Sequence, residues 1–225
     1  MTVELDFWVV IKEWPLLLTG VAWTLGLTFV SACVGTLSGL GLAWVRLQNW
    51  QMPSRLIHIY VELIRNTPFI VQLFFIFFGL PQLGFRLSAE TSSVLAMVIN
   101  LSAYSTEIIR SGVEATAPGQ IQAGRSLGFS EFQVFKHVIL PPALFRVWPA
   151  LVAQIIIVML GSAVCGQIST EELSYSANLI QSRNFRAFEA FIVAAAIYLS
   201  LAIVMRWCLN RLGKNLIFKG LSQNG

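Results

Sequence analysis

Between residues 20 and 45 the chain runs 26 residues, GVAWTLGLTFVSACVGTLSGLGLAWV, without one charge. As a helix this run is about 39 Å long, enough to cross a hydrocarbon core of about 30 Å with some tilt. A water-soluble fold would have to wrap the run completely, but the rest of the chain offers little polar material for an outer layer. Hydrophobic residues make up 56% of the 225 and charged residues only 12%. Lipid is therefore the solvent for much of the surface. Gly35, Ser38, Gly39 and Gly41 give the run small faces where a second helix can approach closely.

Four more apolar segments follow, at about 57–80, 92–109, 148–168 and 188–207. The predicted fold class is all-α, a polytopic membrane protein with five transmembrane helices, forming one transmembrane domain over 1–225. A sixth span at the N-terminus is excluded by Glu4, Asp6, Lys12 and Glu13. The first residues also lack the basic region and apolar stretch of a cleavable signal. Basic residues set the orientation. Arg46, Arg55, Arg65, Arg110, Arg125, Lys136, Arg146, Arg206, Arg211, Lys214 and Lys219 flank one side, against Lys12, Arg86, Arg183 and Arg186 on the other. The C-terminus is thus predicted to be cytoplasmic and the N-terminus outside, with the stretch STEELSYSANLIQSRNFRAF an external loop.

The net charge of +4 does not point to nucleic acid, because no Lys/Arg stripe exists to track phosphates. Cys33, Cys165 and Cys208 lie in separate apolar stretches with no metal or redox spacing. They read as packing residues. Trp14, Trp23, Trp44 and Trp50 fit interface anchoring near the ends of span one.

The polar insert 111–147 separates spans three and four on the cytoplasmic side. PGQIQAGRSLG and SEFQVFKHVIL read as two short amphipathic helices broken at Gly128-Phe129-Ser130. Ser130 can cap the second helix, with Glu131 and Gln133 suiting its positive end. Phe132, Phe135 and Ile139 share a stripe, and Pro141-Pro142 is expected to end the helix. Such a pair suits docking into a partner's groove, or lies on the membrane surface as a solvated loop.

The insert resembles the "EAA" loop of ABC importer permeases: E-A-A, three residues, G, nine residues, then I-x-L-P. Here Gln122-Ala123-Gly124, Gly128 and Val138 with Leu140-Pro141 occupy those places. The phrase EAT at Glu114 lies eight residues too early. Elsewhere LLLTGVAWTLGLTF, ELIRNTPFIVQLFFIFFGLP, SAYSTEIIRSGVEA and NFRAFEAF are similar to the polar amino-acid branch of that family. The resemblance implies a multi-pass subunit of the bacterial inner membrane that pairs with a second permease. It also implies two ATP-binding subunits and an extracytoplasmic amino-acid-binding protein as partners. ATP and Mg would be used by the partner subunits, with no cofactor bound by this chain. The one approach to a phosphate loop, CLNRLGKN, has Cys208 in place of Gly and Asn215 in place of Ser/Thr.

Two departures stand out. Gln122 replaces the family's acid and forfeits a charge-assisted contact of about 1–2 kcal/mol. Gly124 replaces Ala at roughly 0.5–1 kcal/mol of helix stability. Both favour a heterodimer whose other permease carries the stronger loop. In span four the family's KDTSL-like stretch reads Leu160, Gly161, Ser162, Ala163 and Val164, without the carboxylate that would meet a substrate ammonium.

Candidate pathway residues are polar groups within the spans. Asn100, Tyr104, Glu107 and Ser111 share one face of span three, turned to a cavity or to another helix. Glu107 with Arg110 reads better as a structural ion pair. Arg65-Asn66-Thr67-Pro68 opens span two with a bend at a gate or a helix start, and Gln72 lies further along. Gln154 and Ser162 contribute from span four. Glu62 and Arg65 are expected to pair, with His58 on their stripe; His58 and His137 read as packing or contact residues.

The leading function is a non-catalytic translocation subunit, with ATPase activity residing in partners. The alternatives are an ATP-independent channel or secondary transporter, whose internal repeat is not seen, and a membrane enzyme, for which no triad, metal spacing or acid pair is present.

Overall fold

The computed structural model describes residues 5–48 and 50–217. Lys219, counted above for orientation, lies outside the described residues. A short helix α1 (Phe7–Ile11) leads into α2 (Trp14–Leu47), which starts well before residue 20 and ends just past residue 45. At 34 residues α2 is about 51 Å long and must be tilted or project from a bilayer. It packs along α5 (Ala89–Glu114). At Gly39 the two backbones come so close that a Cβ would lie 2.6 Å from the Cβ of Ser105. Gly35 and Gly39 therefore serve the expected close helix contact, whereas Ser38 and Gly41 are exposed, and a Cβ on Gly41 would meet nothing within 4 Å.

The second apolar segment is not the continuous span expected over 57–80. It consists of α3 (Gln51–Arg65) and α4 (Phe69–Phe74), which continues through a π turn and a 3-10 turn to Leu83. The two parts meet at an angle of 108°. Pro68 supplies the physical reason. It has no N–H to give to the Ile64 carbonyl, and the residue before a proline is driven out of the helical region. α3 is strongly amphipathic, buries Ile57 and Val61, and leaves Leu56, Ile59 and Leu63 exposed on its apolar face.

After α5 come α6 (Pro118–Ser126) and α7 (Glu131–Val134), then a π turn over Phe135–Ile139 and α8 (Leu140–Gly161). Pro141-Pro142 does not end this helix: residues 131–168 form one apolar rod. The π turn explains why. Leu140 donates its N–H to the Phe135 carbonyl, five residues back, so the helix widens just where two prolines lack donors and crowd the preceding turn.

The expected external loop after α8 is largely helix. A 3-10 turn over Ser162–Ile168 leads to α9 (Leu173–Asn184), which folds back on α2 and α10 (Ala187–Leu212) and buries Leu173, Ala177 and Ile180. Glu172 caps α9, accepting N–H bonds from Tyr175 at 2.8 Å and Ser174 at 2.9 Å, with the Tyr198 hydroxyl as a third donor. Thr24 of α2 accepts the Leu173 N–H at 3.2 Å. No strand occurs among the described residues, and the chain presents four long apolar helices plus one bent pair, an all-helical membrane architecture.

Candidate functional site

The loop carrying the triplet is a built structure. Ser130 accepts the Gln133 N–H at 3.4 Å, and Gln133 returns its side-chain oxygen to the Ser130 N–H at 2.8 Å. This closed capping box starts α7. Gly128 makes the turn between the helices with φ of +79°, a conformation that most side chains resist. Arg125 and Glu131 bridge that turn through two bonds of 2.9 and 3.0 Å.

Within the triplet, Gln122 and Ala123 face outward while Gly124 is buried. A Cβ on Gly124 would sit 3.2 Å from Val138 Cγ2 and 3.4 Å from Val134 Cγ2, so the missing methyl is what lets α6 close on α7. Val138 and Leu140 sit partly buried at this join, and Pro141 lies in the first turn of α8. Ile121, Val134, Phe135 and Ile139 belong to one apolar cluster with Ala43 of α2, Ile109 and Val113 of α5, and Val147 and Leu151 of α8. The loop is thus fastened to three long helices. Leu127 and Phe132 are exposed like Gln122 and Ala123, while Phe135 and Ile139 of the expected stripe are buried. Phe132 instead meets Trp44 edge to face at 5.6 Å between ring centroids.

The second constellation surrounds the break between α3 and α4. A cleft of about 510 Å³ is lined by Arg65, Thr67, Pro68, Asn100, Tyr104 and Gln154, with Phe69 and Ile157 as apolar walls. A smaller pocket of about 90 Å³ adjoins it, sharing Phe69, Asn100 and Ile157 and adding Gly161. Five candidate pathway residues therefore meet at one cleft: Thr67, Pro68, Asn100, Tyr104 and Gln154. Ile157 and Phe69 are not among the candidates, and Gly161 is noted in the sequence only for the acid it replaces. Ile157 and Gly161 fall three and seven residues after Gln154, a helical spacing that could have found them.

The other candidates lie elsewhere. Gln72 is buried behind the cleft, where it holds the break together. Ser162 is fully buried and donates to the Met159 carbonyl at 2.6 Å. Glu107 accepts from Arg46 of α2 at 3.1 Å and from Arg110 Nε at 3.0 Å, and Arg110 also pairs with Glu114. That chain of charges pins α2 to α5 near the loop. Ser111, the end of the same face, turns its hydroxyl to the Ile108 carbonyl at 2.7 Å.

The expected Glu62–Arg65 pair does not form. Asn66 donates to Glu62 at 3.0 Å, and the Arg65 guanidinium stands over the Tyr104 ring, 5.5 Å from its centroid. A cation over an aromatic face is held by the ring quadrupole, and here it closes one side of the cleft. Among the described residues no acidic side chain lines the cleft.

An all-helical membrane bundle with a polar cleft among its spans and a loop packed onto three long helices suits a transport subunit. The chain belongs to the family described as binding-protein-dependent transport system inner membrane component, which it matches over residues 35–217. Similar curated proteins include the nopaline transport system permease protein NocM of Agrobacterium fabrum, 33% identical over 89% of this chain and 88% of that one. The glutamine transport system permease protein GlnP of Escherichia coli K12 is 33% identical over 90% and 93%. The structure is similar to one described as an amino acid ABC transporter with histidines, with TM-score 0.85 and 37% identity over 95% of this chain and all of that one. The MetNI methionine ABC transporter, at 21% identity and TM-score 0.74, shares the fold.

Proposed function

We propose that this chain is the permease subunit of an ABC importer for a polar amino acid, working in the bacterial inner membrane. The observation that carries the reading is the continuity of the loop with the membrane helices. α7 runs through the π turn into α8, and the α6–α7 pair shares an apolar cluster with α2, α5 and α8. A push on the outward face at Gln122, Ala123 and Leu127 reaches, through α5 and α8, two walls of the cleft. The amino-acid class is supported by the 37% identical structural relative and by curated relatives for nopaline, glutamine and arginine.

The loop end is then cytoplasmic, and the α9 end faces the extracytoplasmic binding protein. Two ATP-binding subunits supply the work, using ATP and Mg at their own sites, and this chain binds no cofactor. It pairs with a second permease, a heterodimer being favoured, because Gln122 lacks the charge that a more acidic triplet offers a basic partner residue. Substrate released by the binding protein passes along Asn100, Tyr104, Thr67 and Gln154, polar groups presented within otherwise apolar spans.

The test is an Ala123→Arg substitution in the complete complex. The added side chain stands on the exposed face and leaves the Gly124 contact alone. ATPase subunits are expected to be lost on purification and amino-acid uptake to fall to background. Retained ATPase together with ATP-independent uptake would favour a channel or secondary transporter instead.

A further inference from the structure

The break between α3 and α4 leaves backbone carbonyls without helical partners, and in a membrane each of these must be satisfied within the protein. Side chains do so one by one. The Thr67 hydroxyl donates to the Leu63 carbonyl at 2.8 Å, while Asn66 Nδ2 adds a bond of 2.8 Å to the Glu62 carbonyl, which already accepts the Asn66 backbone N–H. Gln72 Nε2 reaches back to the Ile64 carbonyl at 2.7 Å and to the Thr67 carbonyl at 3.0 Å. Gln72 is 8% exposed, so these bonds are not traded with water.

This fixes more than the bend. Carbonyls only accept, so the end of Gln72 that faces them must be its NH₂. Its oxygen is thereby turned the other way, where Asn100 Nδ2 donates to it at 3.0 Å. An oxygen there demands a donor, so the orientation of the Asn100 amide is dictated as well. What remains of Asn100 is the second N–H of its amide and its carbonyl oxygen, which has no partner among the described residues, on a side chain that lines the cleft.

We infer that Gln72 is a positioning residue that fixes the Asn100 amide so that its oxygen is available to the pathway, and that this oxygen accepts a hydrogen bond from the ammonium group of the passing amino acid. The inference rests on the amino-acid importer reading above. It assigns a polarity to this half of the site without any carboxylate: a neutral acceptor, prepared by the same two carbonyls that the broken helix exposes. Free in solution, an asparagine amide would offer either end equally; here one end is already committed before substrate arrives.

The decisive measurement is amino acid moved per ATP hydrolysed, in the complete complex reconstituted in vesicles with its binding protein, using labelled L-glutamine, L-arginine and L-glutamate. Gln72→Met keeps the length and removes donor and acceptor together. Gln72→Met and Asn100→Ala are each expected to lower the transport ratio about tenfold while stimulated ATP hydrolysis persists. The double variant falls no further, because both changes remove one device. A ratio unchanged by Gln72→Met, or losses that multiply in the double variant, overturns the inference.

Where Gln72→Met does not assemble, Asn100→Asp decides, because it leaves Gln72 in place. Protonated, the new carboxyl gives its O–H to Gln72 and its C=O to the cleft; ionised, it sets oxygen against oxygen. Arg65 and Tyr104 are the native ionisable groups sharing the cleft, so activity is taken relative to wild type at each pH. That relative activity rises as pH falls, and a flat profile overturns the inference. A wild-type complex that moves none of the three amino acids defeats the amino-acid reading itself.

Discussion

Gly124 and Val138 lie in close contact within the loop: a Cβ on Gly124 would stand 3.2 Å from Val138 Cγ2, so Val138 would have to give by a few tenths of an ångström. The residue that reads as a weakened alanine is therefore fitted to its neighbour. Gly124→Ala gains roughly 0.5–1 kcal/mol of helix stability and loses a similar amount in displacing Val138, so the thermal midpoint is expected to move little. Gly124→Leu cannot be fitted that way. It is expected to cost about 1–3 kcal/mol and to separate α6 from α7. The checks are thermal unfolding in detergent and retention of the ATPase subunits, which Gly124→Leu loses and Gly124→Ala keeps.

Much of this was legible in the residues because it rests on local rules. Charge-free runs of bilayer length mark the long helices, and Ser130 with Gln133 announces a cap. The distances from Gly124 to Gly128 and Leu140-Pro141 locate the loop. What was not legible depends on atoms meeting across the fold. Pro141-Pro142 reads as a stop until the π turn before it widens the helix. Gln72 sits five residues beyond Thr67, and nothing in helical periodicity says that its side chain reaches back over a 108° bend. Residues 173–184 look like a polar loop because only one narrow face, Leu173, Ala177 and Ile180, is buried.

Glu107 offers a way to separate architecture from pathway. It holds Arg46 and Arg110 together with about a quarter of its side chain exposed, so solvent screens the pair in part. Glu107→Gln is expected to lower stability by about 1–2 kcal/mol, since two guanidinium groups lose their shared partner. Uptake per ATP hydrolysed by the protein that remains folded is expected to match wild type. A change of substrate preference in this variant would place Glu107 on the pathway after all.

Glu172 predicts a pH dependence at the opposite end of the bundle. Its side chain is fully buried, and burial pushes the carboxyl up against the downward pull of its bonds from Tyr198, Ser174 and Tyr175. A carboxyl raised on folding holds its proton more tightly in the folded chain. Its favourable contribution is complete below the unfolded value and disappears as pH rises through the folded one. The thermal midpoint of the wild-type protein is therefore expected to fall as pH climbs above the ordinary carboxylate range. Glu172→Gln removes that slope while starting lower, because the amide nitrogen cannot accept an N–H at the α9 cap. Scans of unfolding temperature against pH for the two proteins compare the slopes directly.

Gly161 stands where the resembled family carries an acid, and the structure places that position on a pocket next to the main cleft. It lines the small pocket that adjoins the main cleft, in company with Asn100, Phe69 and Ile157. A Cβ added there meets no heavy atom within 4 Å, so a longer side chain enters open space rather than a neighbour. The native cleft carries Arg65 and no acid among its described lining residues, a balance that opposes a cationic side chain. Gly161→Asp adds a carboxylate within the span, where a charge is tolerated only if a partner of opposite sign arrives. A cationic amino acid supplies that partner. The variant is expected to raise uptake of L-arginine relative to L-glutamine by about tenfold, a difference of about 1.4 kcal/mol. The comparison is made with both amino acids delivered at saturating binding protein, so that the permease sets the ratio. An unchanged ratio would mean that the pathway runs clear of Gly161.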